Sequence, residues 1–239
     1  MKRKLLRNTL IIISLVPVVL FVAKFGGPSI LKMYVRAGIT QSHNQAIFSL
    51  APEQAINKPE IENAYLSGLK HYRLPEIEIS LPKDIRAVQG ETTRTYYKKR
   101  PWRTGEAVAY ILYEKPRFFM NLFPRLKKQG ITSDQDFLSH TMSAKLDDIK
   151  TITDAFFVIM KGIFTPDLGD QKNLQMLSFS TSDKNGFISY NLNKSANYFD
   201  CNFFDHKGNF FKVYVKDITG SLDINKIFAI ISTVKQKNG

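Results

Sequence analysis

The chain has 239 residues, 44% of them hydrophobic and 12% aromatic, with a formal charge of +13 and a single cysteine. That is enough apolar material for one ordinary domain and a connecting region, and it excludes a disordered chain, an internal disulfide and, without internal repeats, a solenoid. The charge is uneven: between Arg94 and Lys128 ten basic residues stand against Glu106 and Glu114 alone, whereas the chain from Gln129 onward is neutral and holds no arginine.

The stretch Thr9 to Ala23 carries no charge and follows Lys2, Arg3, Lys4 and Arg7. It predicts a membrane anchor over residues 1–25, lengthened by Leu5 and Leu6 when Arg7 snorkels toward the head groups. A cleaved signal peptide is the alternative: Ala23 suits the residue before a cut, but Phe21 is a poor third position. The heavier basic flank on the N-terminal side places the N-terminus in the cytoplasm and the body outside it. Cleavage would instead secrete the body.

Residues 26–74 read as a tether with short helices. Gly26-Gly27-Pro28 marks a break, and Ile61, Tyr65, Leu69 and Tyr72 recur at helical spacing between Pro59 and Pro75. Residues 75–239 read as one α+β domain. Ile77, Ile79 and Leu81 alternate with polar neighbours as a half-buried strand; Ile85 to Gln89 and Thr92 to Lys98 are extended, and Ala107 to Tyr113 is a stronger strand. Helical text follows from Phe118 to Leu126, interrupted by Pro124 and ended by Gly130. Ser133 with Asp136 predicts the cap of a helix carrying Phe137, Leu138, Met142, Leu146 and Ile149. The run from Ala155 to Phe164 is apolar nearly all round and too short to span a bilayer, which predicts a buried core helix.

The C-terminal part predicts four strands, at Leu174 to Thr181, Phe187 to Leu192, Tyr198 to Phe204, and through Phe211, Val213 and Val215. Turns fall at Asp183 to Gly186 and Asp205 to Gly208. Leu222, Ile224, Ile227, Phe228, Ile231 and Val234 then form the apolar stripe of a last helix. The expected architecture is α+β: an N-terminal membrane helix, then an antiparallel sheet, including a C-terminal four-stranded meander, covered by helices.

From about Leu74 to Lys235 this order of elements resembles that of the PsbP-like α/β/α sandwich, in which early strands, a helical insert, a meander and a terminal helix form one domain. The resemblance rests on element order without a diagnostic motif, so it transfers no functional residue. It implies a binding or assembly role.

The residues point to no catalytic, metal or cofactor site. His43, His71, His140 and His206 are scattered, and HExxH, CxxC, GxSxG and GxxxxGK are all missing. Strand alternation sets Asp200 on the face opposite Cys201, and the turn after Asp205 leads His206 away, so Cys201 reads as a buried structural thiol. What remains is the run in which Arg94, Lys98, Lys99, Arg100 and Arg103 interleave with Tyr96, Tyr97 and Trp102. Such a mixture suits an anionic surface: anionic lipid, an envelope polymer or a protein partner. Nucleic acid is bound by the same chemistry but ranks below these for a body outside the cytoplasm. A solvated hairpin is the plain alternative. The chain therefore reads as a membrane-anchored extracytoplasmic binding or assembly module, with an envelope-associated hydrolase as the second reading.

Overall fold

Apolar residues at every second position pair into strands here, and the helices are inserted between the strands. In chain order the elements are α1 (Gly27–Ile39), β1 (Gln54–Asn57), α2 (Asn63–Gly68), β2 (Leu69–Arg73), β3 (Ile77–Pro82), β4 (Ile85–Gly90), β5 (Arg94–Lys99) and β6 (Val108–Glu114). Then come α3 (Phe118–Leu122), α4 (Asp134–Ser143), α5 (Ile152–Phe164), β7 (Leu174–Ser180), β8 (Lys184–Leu192), β9 (Asn197–Asp205), β10 (Phe210–Asp217), α6 (Ile224–Ser232) and β11 (Lys235–Gln236). They are taken from a computed structural model, which describes residues 27–39, 45–57, 59, 61, 63–83, 85–90, 94–99, 108–169 and 171–237.

Eight strands form the central sheet in the order β1-β7-β8-β9-β10-β6-β5-β4. β7 to β10 pair antiparallel in chain order, and β6 returns antiparallel beside β10. The sheet is nonetheless mixed, which corrects the expected antiparallel architecture: β1 runs parallel to β7, with Gln54 opposite Leu177 and Asn57 opposite Ser180. Four residues are too few to show a period, and a parallel partner can lie anywhere along the chain because its crossover is long. β3 also leaves the main sheet and joins β2 and β11 in a separate three-stranded sheet. The helix expected after Pro59 is only α2, and Leu69 to Arg73 are extended, so Tyr72 pairs with Ile79 across β2 and β3.

The expected membrane helix falls on Thr9 to Ala23, outside the described residues. Among the described residues no helix is long and apolar enough to cross a membrane.

Around β9 and β10 the central sheet is buried on both faces. On one face Phe199, Cys201 and Phe203 of β9 and Phe211, Val213 and Val215 of β10 pack against α6 and the small sheet, where Ile77, Ile79 and Leu81 are buried. On the other, Phe204, Phe210 and Met176 meet α3, α4 and α5. Phe119 stacks on Phe137 at 4.7 Å and meets Phe210 edge-on at 5.0 Å. The supposed tether contributes to this layer: Val35 of α1, with Ile47 and Phe48 of a 3₁₀ turn, are buried in it.

Local chemistry fixes where the helices begin and end. Pro124 halts α3 at Leu122, and a 3₁₀ turn ends on left-handed Gly130. Ser133 with Asp136 and Thr151 with Asp154 form reciprocal capping boxes at the starts of α4 and α5. Buried Asp134 accepts the Met120 amide at 2.9 Å, so one carboxylate joins α4 to the first turn of α3, and its burial holds that carboxyl above the ordinary range. Asn185-Gly186 is not the turn its residues suggest. The reversal lies at Ser182-Asp183, with the Thr181 amide donating to the Lys184 carbonyl at 2.7 Å. Gly186 sits within β8, where a Cβ would lie 2.5 Å from the Phe203 Cα, so glycine is required by the close approach of β9.

Candidate functional site

The basic-aromatic run is divided by the structure. Arg94, Lys98 and Lys99 lie on β5; Arg100, Trp102 and Arg103 lie outside the described residues. In register, Arg94 is opposite Leu112 and Lys98 opposite Val108 of β6. Lys98 is therefore near the start of β6. A second basic segment begins at its other end, about 20 Å away along the strand. In that segment Lys115, Arg117, Arg125, Lys127 and Lys128 are all exposed, and no acidic residue occurs between Lys115 and Ser133.

Asp200, Asn202 and Lys212 form one buried polar group. Asp200 and Lys212 face the helix layer from neighbouring strands. The Lys212 ammonium lies 2.5 Å from Asp200 Oδ1, and it donates to the Phe164 carbonyl at 2.5 Å and to Asn202 Oδ1 at 3.2 Å. Asn202 Nδ2 donates to Asp200 Oδ2 at 2.8 Å. Two hydrogen bonds and one ion pair thus engage the ammonium, while Asp200 Oδ1 has the ion pair and no hydrogen bond. Burial outweighs the attraction of Lys212 and raises the Asp200 carboxyl above the ordinary range. Lys212 also borders a cavity of about 250 Å³, whose other walls include Tyr110, Phe118, Ile163 and Phe164. A wider depression of about 700 Å³ beside the β8–β9 turn is similar: Asn193 Oδ1 accepts from the Ser195 amide and hydroxyl, and Asn197 Nδ2 donates to the Leu222 carbonyl.

Lys161 of α5 is fully buried. Its ammonium donates to the carbonyls of Leu50 and Ala144, tying the 3₁₀ turn to the end of α4. Burial, with Lys145 nearby, lowers its pKa to about 7. The unfolded chain holds this proton up to about pH 10 and the folded chain releases it near 7, so stability rises as pH climbs through that window. The gain is expected to be on the order of 4 kcal/mol when complete. Urea midpoints measured between about pH 7 and 9 should climb in the native chain and flatten in Lys161→Met. Parallel slopes would show that the gain comes from other groups.

Cys201 is buried, and its thiol is pushed well above the ordinary range, first by burial and then by Asp200. Among the described residues no group of three His, Cys, Asp or Glu side chains is arranged to hold a metal ion.

The outer face of α5 differs from all of these. Ile152, Ile159 and Ile163 are 68%, 47% and 71% exposed, and half-buried Phe156 lies between them at helical spacing. The expected core helix is thus buried on one side only: α5 buries Ala155, Phe157, Val158, Met160 and Lys161 and leaves an apolar stripe about 16 Å long exposed. Phe156 carries the stripe into a groove of about 320 Å³ with Leu122, Phe123, Pro124, Arg125 and Leu126. Leu122 is itself 55% exposed. The signal was in the sequence, since a helix apolar on every side must either be enclosed or leave a face uncovered.

No family model matches the chain, and no curated protein does. A solved crystal structure of a protein from Bacteroides thetaiotaomicron VPI-5482 is similar at 9% identity with a TM-score of 0.31, over 72% of this chain. The match spans about half of that protein's chain, 49%.

Proposed function

We propose that this protein is a non-catalytic binding or assembly module, held at a membrane by its N-terminal apolar stretch, whose working surface is the outer face of α5. The observation that carries the reading is the exposed stripe Ile152, Phe156, Ile159 and Ile163, continuous with Leu122 across an open groove. Contiguous exposed apolar surface of this kind marks a contact site. The buried Asp200–Lys212 group agrees with it, because these charges tie β9, β10 and the end of α5 together and so serve the fold.

The test is whether the face is covered in the cell. Cys201 is buried, so Ile159→Cys and the control Lys70→Cys on exposed β2 each supply one reactive thiol. In native membranes a polar maleimide should label position 159 of the full chain several-fold more slowly than position 70. Equal rates would overturn the reading.

A further inference from the structure

We infer that what covers this face is a phospholipid bilayer carrying anionic lipid, on which the helix layer lies flat. The inference rests on the module reading above and names its partner. Three observations converge on it.

The first is charge. The apolar groove is bordered by the acid-free segment from Lys115 to Ser133, whose five basic residues are exposed; Arg125 lines the groove itself. Lys150 is exposed two residues before Ile152. An apolar stripe edged by lysine and arginine is the arrangement that lies in a head-group interface, with the cations at the phosphates and the isoleucines at the acyl boundary. A second copy of the chain, seated on the same face by two-fold symmetry, would bring together two surfaces edged with the same positive charge.

The second is where the remaining chain joins. α1 packs on α5, burying Val35 in the helix layer, while Lys32 and Arg36 reach Asp147 just ahead of α5. The apolar stretch ends at Ala23, four residues before α1, so its end lies within about 14 Å of Gly27. Whatever medium accepts Thr9 to Ala23 is therefore within reach of the layer that exposes the stripe.

The third is the character of that stretch. Thr9 to Ala23 is apolar on every side, so folding it back on α5 would cover one of its faces and leave the rest in water. A bilayer covers both the stretch and the stripe.

The experiment uses the full chain in vesicles of phosphatidylcholine, with and without phosphatidylglycerol, with no other protein present. An environment-sensitive fluorophore on Ile159→Cys or Ile163→Cys should shift to the blue with phosphatidylglycerol and be quenched by nitroxide-bearing lipids. The same label on Lys70→Cys, on the opposite side of the central sheet, should do neither. Replacing Lys115, Arg125, Lys127 and Lys128 with Ser should remove most of the quenching at 159. Replacing Lys98 and Lys99 should leave it, because both lie toward the other end of β6. Position 159 protected in native membranes but water-exposed in these vesicles would overturn the bilayer and retain the module, with a protein as its cover. Disulfide linkage of the unlabelled Ile159→Cys chain by a mild oxidant, with no lipid quenching of the labelled chain, would overturn it in favour of a second copy. Exposure in both settings would overturn the inference and the module reading together.

Discussion

Lys212→Met is expected to cost about 3–5 kcal/mol of unfolding free energy, because it leaves Asp200 buried without its counter-charge. Asp200→Leu alone should cost a similar amount by stranding the ammonium. The triple variant Asp200→Leu, Asn202→Leu and Lys212→Met should recover most of the loss. Two charges and an amide removed together leave only the Phe164 carbonyl to be rehydrated, and a buried pair replaced by apolar residues of like size is often neutral. Urea unfolding of the four proteins decides it. If the triple variant is as unstable as the single ones, the cost lies in the shape of the site and not in the uncompensated charge.

Phe228→Asp is expected to abolish the cooperative thermal transition. Phe228 is buried in the layer opposite the helices, with its ring 5.4 Å from Phe179. Deleting a buried phenylalanine alone costs about 3–5 kcal/mol, and an unpaired carboxylate in its place adds a further penalty. Ile159→Asp makes a comparable chemical change on α5 and should alter stability by less than about 1 kcal/mol, since its side chain already meets water. Circular dichroism melts compare the two directly. A collapse of both would mean that the α5 stripe is part of the core.

Much of the C-terminal half was legible because local signals there agree. Phe199, Cys201 and Phe203 alternate with Asp200 and Asn202, the paired strands are neighbours in sequence, and Asp223 caps α6 by accepting the Lys226 amide. The parallel pairing of β1 was not legible, because Gln54 to Asn57 show no period and their partner is more than 100 residues away. Asn185-Gly186 misled for a related reason: Gly186 answers a close approach by β9, a tertiary demand that looks like turn chemistry when only neighbours in sequence are considered. For the site the limit was different. The apolar character of α5 was plain, but which of its sides the protein covers depends on how α1, α3 and α4 pack around it. The charge excess from Arg94 to Lys128 was plain in the composition, but only the run ending at Arg103 drew a reading, because the cations from Lys115 to Lys128 are spread among apolar residues.

An open sheet has two margins where a stranger's backbone can add itself. One margin here is β1, four residues long and bracketed by Pro52 and Pro59, which have no amide hydrogen to offer an incoming strand. The other is β4, whose register slips between Ala87 and Gln89, and such an irregularity twists a strand out of line with a new neighbour. Growth of the sheet from copy to copy is thus discouraged on both sides.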